Sequence, residues 1–234
     1  MLKLFYICLL LSFSAFAQEA RWSSFGTLGI TLSDSDVYGY RNDIGSDNGV
    51  FSGDIDYKSH SLIGAQYEVA FTPKLDFVGQ VVLRDITDAK FSDYITMGFL
   101  RYTPSASWSL KLGRLSPDLF PITEYRNINV AYTWANVPNE IYGMIPFKYL
   151  DGGEVSYTQR LHNGTLNIKI FGGVSQSTVA AQINETLEIR NAIGSSFIYD
   201  QNDWNLQARY TQAEIGNDGE GALFLSQQIN NIPD

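Results

Sequence analysis

Two sets of charged side chains in this chain could act on one another. Arg84, Arg101, Lys111 and Arg114 are basic and fall in one stretch, with Arg209 further along. Asp118, Glu124 and Glu140 are acidic and follow at once, in a segment dense with aromatics and prolines. Fixed charges of opposite sign facing across a narrow gap set up a transverse field, and a low-dielectric cleft focuses it. Rings of charged side chains sort ions in this way. Covalent chemistry has less to draw on. His60 and His162 are the two histidines, and they fall in a loop and a turn. No G-x-S-x-G elbow or phosphate-binding glycine loop is present. An enzyme is not expected, nor a cofactor or resident metal. The acidic run Asp34, Asp36, Asp43, Asp47, Asp54 and Asp56 could hold a divalent cation, but a solvated loop is the simpler reading.

The elements that must position these charges have period two. Nine strands are expected: Arg21–Leu32, Ser61–Phe71, Leu75–Arg84, Tyr94–Tyr102, Trp108–Gly113, Gly153–Gln159, Leu166–Phe171, Ile189–Tyr199 and Trp204–Thr211. Each alternates apolar and polar residues, the signature of a strand with two unlike faces. Ile63, Tyr67 and Phe71 oppose Gln66 and Glu68; Val81 and Leu83 oppose Gln80 and Arg84; Leu206 and Tyr210 oppose Gln207 and Arg209. Tight turns ("TPK", "TPSAS", "HNG", "DQND") alternate with longer connections, and the polar stretch Ser175–Glu188 reads as one of the long ones. Aromatics flank the tight turns: Phe71 and Phe77, Tyr102 and Trp108, Tyr199 and Trp204. The last segment carries Leu225, Ile229 and Ile232 at helical spacing and reads as a loop with a helical turn.

Residues 1–17 read as a secretory signal peptide: Lys3, an apolar run from Leu4 to Phe16, and a small-x-small site at Ala15–Ala17. The single cysteine, Cys8, lies inside it, so the mature domain, 18–234, would have no disulfide. With Lys3 set aside, 15 basic side chains face 25 acidic ones, which argues against a nucleic-acid partner. No later apolar run is long enough for a membrane helix. A membrane-borne form would have to be a closed barrel, the other structure that satisfies every backbone group in lipid. Short turns at one rim, long loops at the other and aromatic girdles are features of such barrels. Two alternatives stay open: a structural or adhesive outer-membrane barrel without an open pore, and a periplasmic β-sandwich binding module.

The order of strands, "LGR" (Leu112–Arg114) leading into a long loop after the fifth strand, and "DGGEVSY" (Asp151–Tyr157) leading out of it, resemble the Gram-negative general porin family. That resemblance implies an all-β transmembrane antiparallel barrel and an outer-membrane location amid lipid and lipopolysaccharide. It implies a homotrimer passing ions and small hydrophilic solutes, with the loop Ser116–Phe147 folded into the lumen. Arg84, Arg101, Lys111, Arg114, Asp118, Glu124 and Glu140 would then line the constriction. A loop folded inward also accounts for Leu119, Phe120, Tyr125, Tyr132, Trp134, Ile141, Tyr142 and Ile145, which would grip the inner wall. Strict alternation sends Arg114 to the same side as Leu112, so a bulge at Gly113 is expected to turn it inward. Nine strands is odd, whereas bacterial single-chain barrels use even numbers, about 16–18 in open porins. The chain is therefore expected to be the N-terminal part of a roughly 16-stranded barrel.

Overall fold

A computed structural model describes residues 19–46, 49–86, 89–143, 145, 147–179 and 185–216. The expected signal peptide and the C-terminal helical turn lie outside them. The fold is all-β. Nine strands form one antiparallel sheet in strict sequence order: β1 (Glu19–Thr27), β4 (Leu62–Thr72), β5 (Leu75–Arg84), β6 (Ile95–Ser105), β7 (Trp108–Leu115), β8 (Leu150–Leu161), β9 (Gly164–Val179), β10 (Glu185–Gln201) and β11 (Trp204–Gly216). Two short strands, β2 (Thr31–Leu32) and β3 (Ile55–Asp56), make a separate ribbon in the first long connection. Two four-residue helices, α1 (Phe91–Tyr94) and α2 (Asn139–Tyr142), sit in later ones. Among the described residues no helix is long and apolar enough to cross a membrane. β1 and β11 are the two edges of the sheet and do not pair with each other.

Every connection at one end of the sheet is two residues long: Pro73–Lys74, Ala106–Ser107, His162–Asn163 and Asn202–Asp203. Two-residue hairpins need backbone that matches strand twist. Asn202 supplies it with φ 31°, a conformation asparagine tolerates. The Thr72 hydroxyl accepts the N–H groups of Lys74 and Leu75 and closes the first of these turns. The other end carries the long connections, 28–61, 85–94 and 116–149.

Register aligns the apolar positions into one continuous face. Ile63 opposes Leu83, Phe77 opposes Leu100, and Leu100 opposes Leu112. Leu110 opposes Val155, Val155 opposes Ile170, and Ile168 opposes Phe197. This face is bare: Leu112 is 70% exposed, Ile63 61%, Ile170 56% and Leu206 54%. Near the two-residue turns it carries packed aromatic pairs, Trp108–Tyr157 with ring centroids 4.8 Å apart and Tyr199–Trp204 at 5.3 Å. Among the described residues no second sheet covers it.

The opposite face is polar and is covered by residues 116–149. Gln80, only 2% exposed, donates to Gln66 and accepts from Thr96, beside a buried apolar cluster of Val78, Phe99 and Leu115. The covering loop holds itself with a small cluster of Ile122, Tyr142 and Ile145. It grips the sheet where Phe147 and Leu119 meet Leu150, Phe171, Ile189 and Ala192. Of the other apolar residues expected to grip the wall, Phe120, Tyr125, Trp134 and Ile141 remain exposed.

Two strand boundaries differ from expectation. β1 stops at Thr27, because its partner β4 begins at Leu62 and the chain before it turns away; Thr31–Leu32 pair with β3 instead. The polar stretch Ser175–Glu188 is largely strand, since β9 runs to Val179 and β10 starts at Glu185. Ser175, Gln176 and Ser177 are polar on both faces, with Gln176 donating to Glu188 across the strands, so apolar alternation gave no sign of it.

Candidate functional site

The site is the seam between the loop and the polar face of the sheet. Period-two geometry and register build one wall of it. Ser156, Lys169, Ser196 and Arg209 stand directly opposite one another on β8 to β11 and form a single row. Lys111 on β7 lies opposite Arg101 on β6 and Glu154 on β8 in a neighbouring row. The loop leaves β7 at Leu115 and lays two carboxylates onto these rows.

Asp118, 4% exposed, is held by three of the wall residues. Its carboxylate lies 3.1 Å from Arg209 Nε, 3.2 Å from Lys169 Nζ and 2.8 Å from the Ser196 hydroxyl. Burial alone would raise its pKa, but Lys169, the Ser196 hydroxyl and Arg209 outweigh it, and the group is held below the ordinary carboxylate range. Glu124 bridges Lys111 at 3.2 Å and Lys169 at 3.5 Å. Burial again works against its charge, and the two lysines again depress its pKa on balance. Glu154 completes the chain with a 3.0 Å contact to Lys111. The result is a continuous alternation, Arg209, Asp118, Lys169, Glu124, Lys111, Glu154. Beside it lies a cavity of about 270 Å³ bordered by Gln66, Gln80, Arg101, Lys111 and Glu124.

The expected site residues are thus sorted into different places. Lys111, Asp118 and Glu124 come together. Arg101 faces the same side but is occupied within the sheet, with two hydrogen bonds to Asp76 at 3.1 and 2.7 Å. Arg84, at the end of β5, turns to the first long connection, where its Nη1 lies 3.6 Å from Asp43. Glu140, on α2, stays exposed beside an apolar groove lined by Phe120, Ile141 and Phe147, with Arg209 at its edge.

Arg114 is the correction. The register of β7 against both neighbours runs unbroken from Leu110 to Arg114, so no bulge intervenes. Arg114 therefore shares the face of Leu112. Gly113 does carry an unusual φ of 132°, yet it absorbs close backbone approach to Gly98 and Phe99 without shifting the register. On that face Arg114 is neutralised: Asp151, its cross-strand partner, takes two hydrogen bonds of 2.8 Å, and the guanidinium stacks 3.6 Å from the Tyr149 ring centre. It also donates to the Ser92 carbonyl at 2.6 Å.

The opposed-field picture is revised with it. Acidic and basic groups touch rather than face each other across open water. Lys169 and Glu154 were not picked out as site residues, although their side of the sheet follows from alternation. Their contacts depend on register, which a single sequence does not display. A scan of family models finds none that matches this chain, and searches of curated proteins and of solved structures find no significant match.

Proposed function

We propose that this sheet is one wall of an outer-membrane porin, a water-filled channel for passive diffusion of ions and small hydrophilic solutes. The loop Ser116–Phe147 narrows that channel from inside. The observation that carries the reading is the pairing of faces: a broad, bare apolar surface on one side, and on the other a more polar surface with a buried glutamine and a salt-bridged loop. Soluble monomers rarely expose contiguous apolar surface on this scale. In lipid, the apolar face is solvated by hydrocarbon and the polar face by water.

The remaining parts follow the same logic. The aromatic pairs beside the two-residue turns match an interfacial girdle, and the turns match a periplasmic rim. Open edges are untenable in hydrocarbon, so closure at β1 and β11 would need strands beyond these nine, in a barrel of roughly 16. Phe120, Tyr125, Trp134 and Ile141, exposed on the loop, would then border the lumen. Export would use the signal peptide, and assembly would be trimeric, as in the porins the sequence resembles. The channel would work without covalent chemistry or energy input.

A second reading, a barrel whose lumen the loop plugs for a structural or adhesive role, is favoured by one feature. Asp118 and Glu124 are bound to the wall directly, which leaves little open space on that side. Planar-bilayer recording of the purified full chain distinguishes the two. Stepwise conductance that changes on deleting Ser116–Phe147 supports the porin. Silence in the wild type with conductance only after the deletion supports the plug. Silence in both refutes a channel of either kind.

A further inference from the structure

A second charged cluster lies apart from the loop-to-wall seam, where the first long connection, the end of β5 and the return of the covering loop meet. Three cations converge there: Arg84, Arg126 and Lys148. One carboxylate touches them: Asp43 Oδ2 lies 2.6 Å from Lys148 Nζ and 3.6 Å from Arg84 Nη1. Arg126 is only 9% exposed, and its Nη2 donates to the Lys148 carbonyl at 2.8 Å.

The cluster is short of acceptors. Among the described residues, Arg126 Nη1 and Arg84 Nε are buried and have no hydrogen-bond partner. A buried charged donor left unsatisfied costs at least as much as a neutral one. All four residues line a cavity of about 90 Å³, and Asp43, Arg84 and Lys148 also line an adjoining one of about 40 Å³. Asp85 borders both cavities but is exposed at their mouth, and Asp93 borders the smaller one while its carboxylate accepts the Lys90 backbone N–H. The larger cavity has room for a few waters or one small tetrahedral ion. The strain is visible in the cations themselves. Burial, with Arg84 close by, brings the Arg126 pKa down to about 10. Burial brings Lys148 down to about 8, with Asp43 opposing the fall.

We propose that this cluster is a binding site for a small free oxyanion of the phosphate or sulfate class, held by the Arg126 and Arg84 guanidinium groups and the Lys148 ammonium. The geometry suits it: guanidinium N–H groups match tetrahedral oxyanions, and charge-assisted hydrogen bonds are the strong ones. Asp43 already occupies one side, so the ion completes the neutralisation rather than replacing it. The site sits between connections and does not depend on the sheet lining a channel.

Isothermal titration of the purified full chain with inorganic phosphate, and separately with sulfate, at constant ionic strength in chloride, tests this. The wild type should give saturable binding above the chloride background. Arg126→Gln should weaken it about tenfold, the loss of one charge-assisted hydrogen bond. Asp43→Asn should move the other way and tighten binding, because it removes the competing negative charge. A cluster with a purely structural role would lose stability in both variants and gain affinity in neither. If Arg126→Gln does not fold, the Asp43→Asn arm decides alone. Absence of saturable phosphate or sulfate binding in the folded wild type overturns the proposal. So does unchanged or weaker binding in Asp43→Asn, or binding only to phosphate-bearing lipid micelles and not to the free ion.

Discussion

The Asp118 carboxylate accepts a hydrogen bond from the Arg209 guanidinium at 3.1 Å, across 91 positions of the chain. With Lys169 on its other oxygen, Asp118 ties the covering loop to β9 and β11 at the far edge of the sheet. Removing one partner of a buried ion pair leaves charge uncompensated, at a cost of about 3–5 kcal/mol. Asp118→Asn should therefore loosen residues 116–149 from β9 to β11 by an amount of that order. Hydrogen exchange of the loop amides, compared with those of β4 and β5, reads it. Equal protection in variant and wild type would mean that the pair does not hold the loop.

Acid should act on the same seam, and later than for ordinary carboxylates. Asp118, Glu124 and Asp43 are all held below their usual pKa despite burial. A group whose pKa falls on folding contributes stability that is full above its unfolded value and is lost as pH drops through the folded value. The unfolded values are about 4. Loop protection should be flat from neutral pH down to that region and should decline only below it. A decline centred near pH 6 would contradict the assignment.

At the alkaline end the slope keeps the same sign. Lys148 has its pKa lowered to about 8 by burial. The unfolded chain keeps that proton up to about 10.4, so between these values it binds more protons than the folded one, and this group's contribution to stability rises with pH. Lys148→Met, which keeps the stem and drops the charge, should flatten that rise in denaturant titrations taken between pH 7 and 10.

The bare face gives a discriminating substitution. Ile170 is 56% exposed in mid-strand. On a lipid-facing wall, Ile170→Arg should cost roughly 2–4 kcal/mol near the bilayer centre. On a water-facing surface it should fall within about 0.5 kcal/mol of the wild type. Unfolding titrations in lipid vesicles separate these outcomes, and the smaller one would remove the main support for a membrane wall.

Gly113 is the strained point of β7. With φ at 132° it occupies backbone space that side-chain-bearing residues avoid, and a Cβ there would approach the Gly98 carbonyl oxygen to 2.4 Å. Gly113→Ala should destabilise the fold by about 1–3 kcal/mol or more. The same change at Gly53, whose φ is 85° but whose surroundings are open, should cost less, because only the backbone term applies.

The faces were legible because alternation survives strand pairing. Ile63, Leu83, Leu100, Leu112 and Ile170 could be assigned to one side before any register was known. The tight turns were legible from Pro73, Asn163 and Asn202. Partners were harder to read, because contact depends on offset between strands. Nothing in the sequence says that Lys169 lies beside Ser196 and Arg209, or that Arg114 faces Asp151. Gly113 looked like a place where the chain could bulge; the structure spends glycine's freedom on close strand approach instead. The Asp43 cluster was hidden for another reason: it joins three segments that share no pattern, and a run of aspartates there reads as solvated.

Strict neighbour-to-neighbour pairing also sets an order of events. Each strand can pair only with its neighbours in that order, so the far edge of the sheet is reached only through β9 and β10. The clasp at Asp118 closes on β9, β10 and β11, all of them synthesised after the loop. Residues 116–149 must therefore wait, unclasped, until the last of these strands is in place. Pulse-labelled exchange during refolding would show it: loop amides gaining protection no earlier than those of β11.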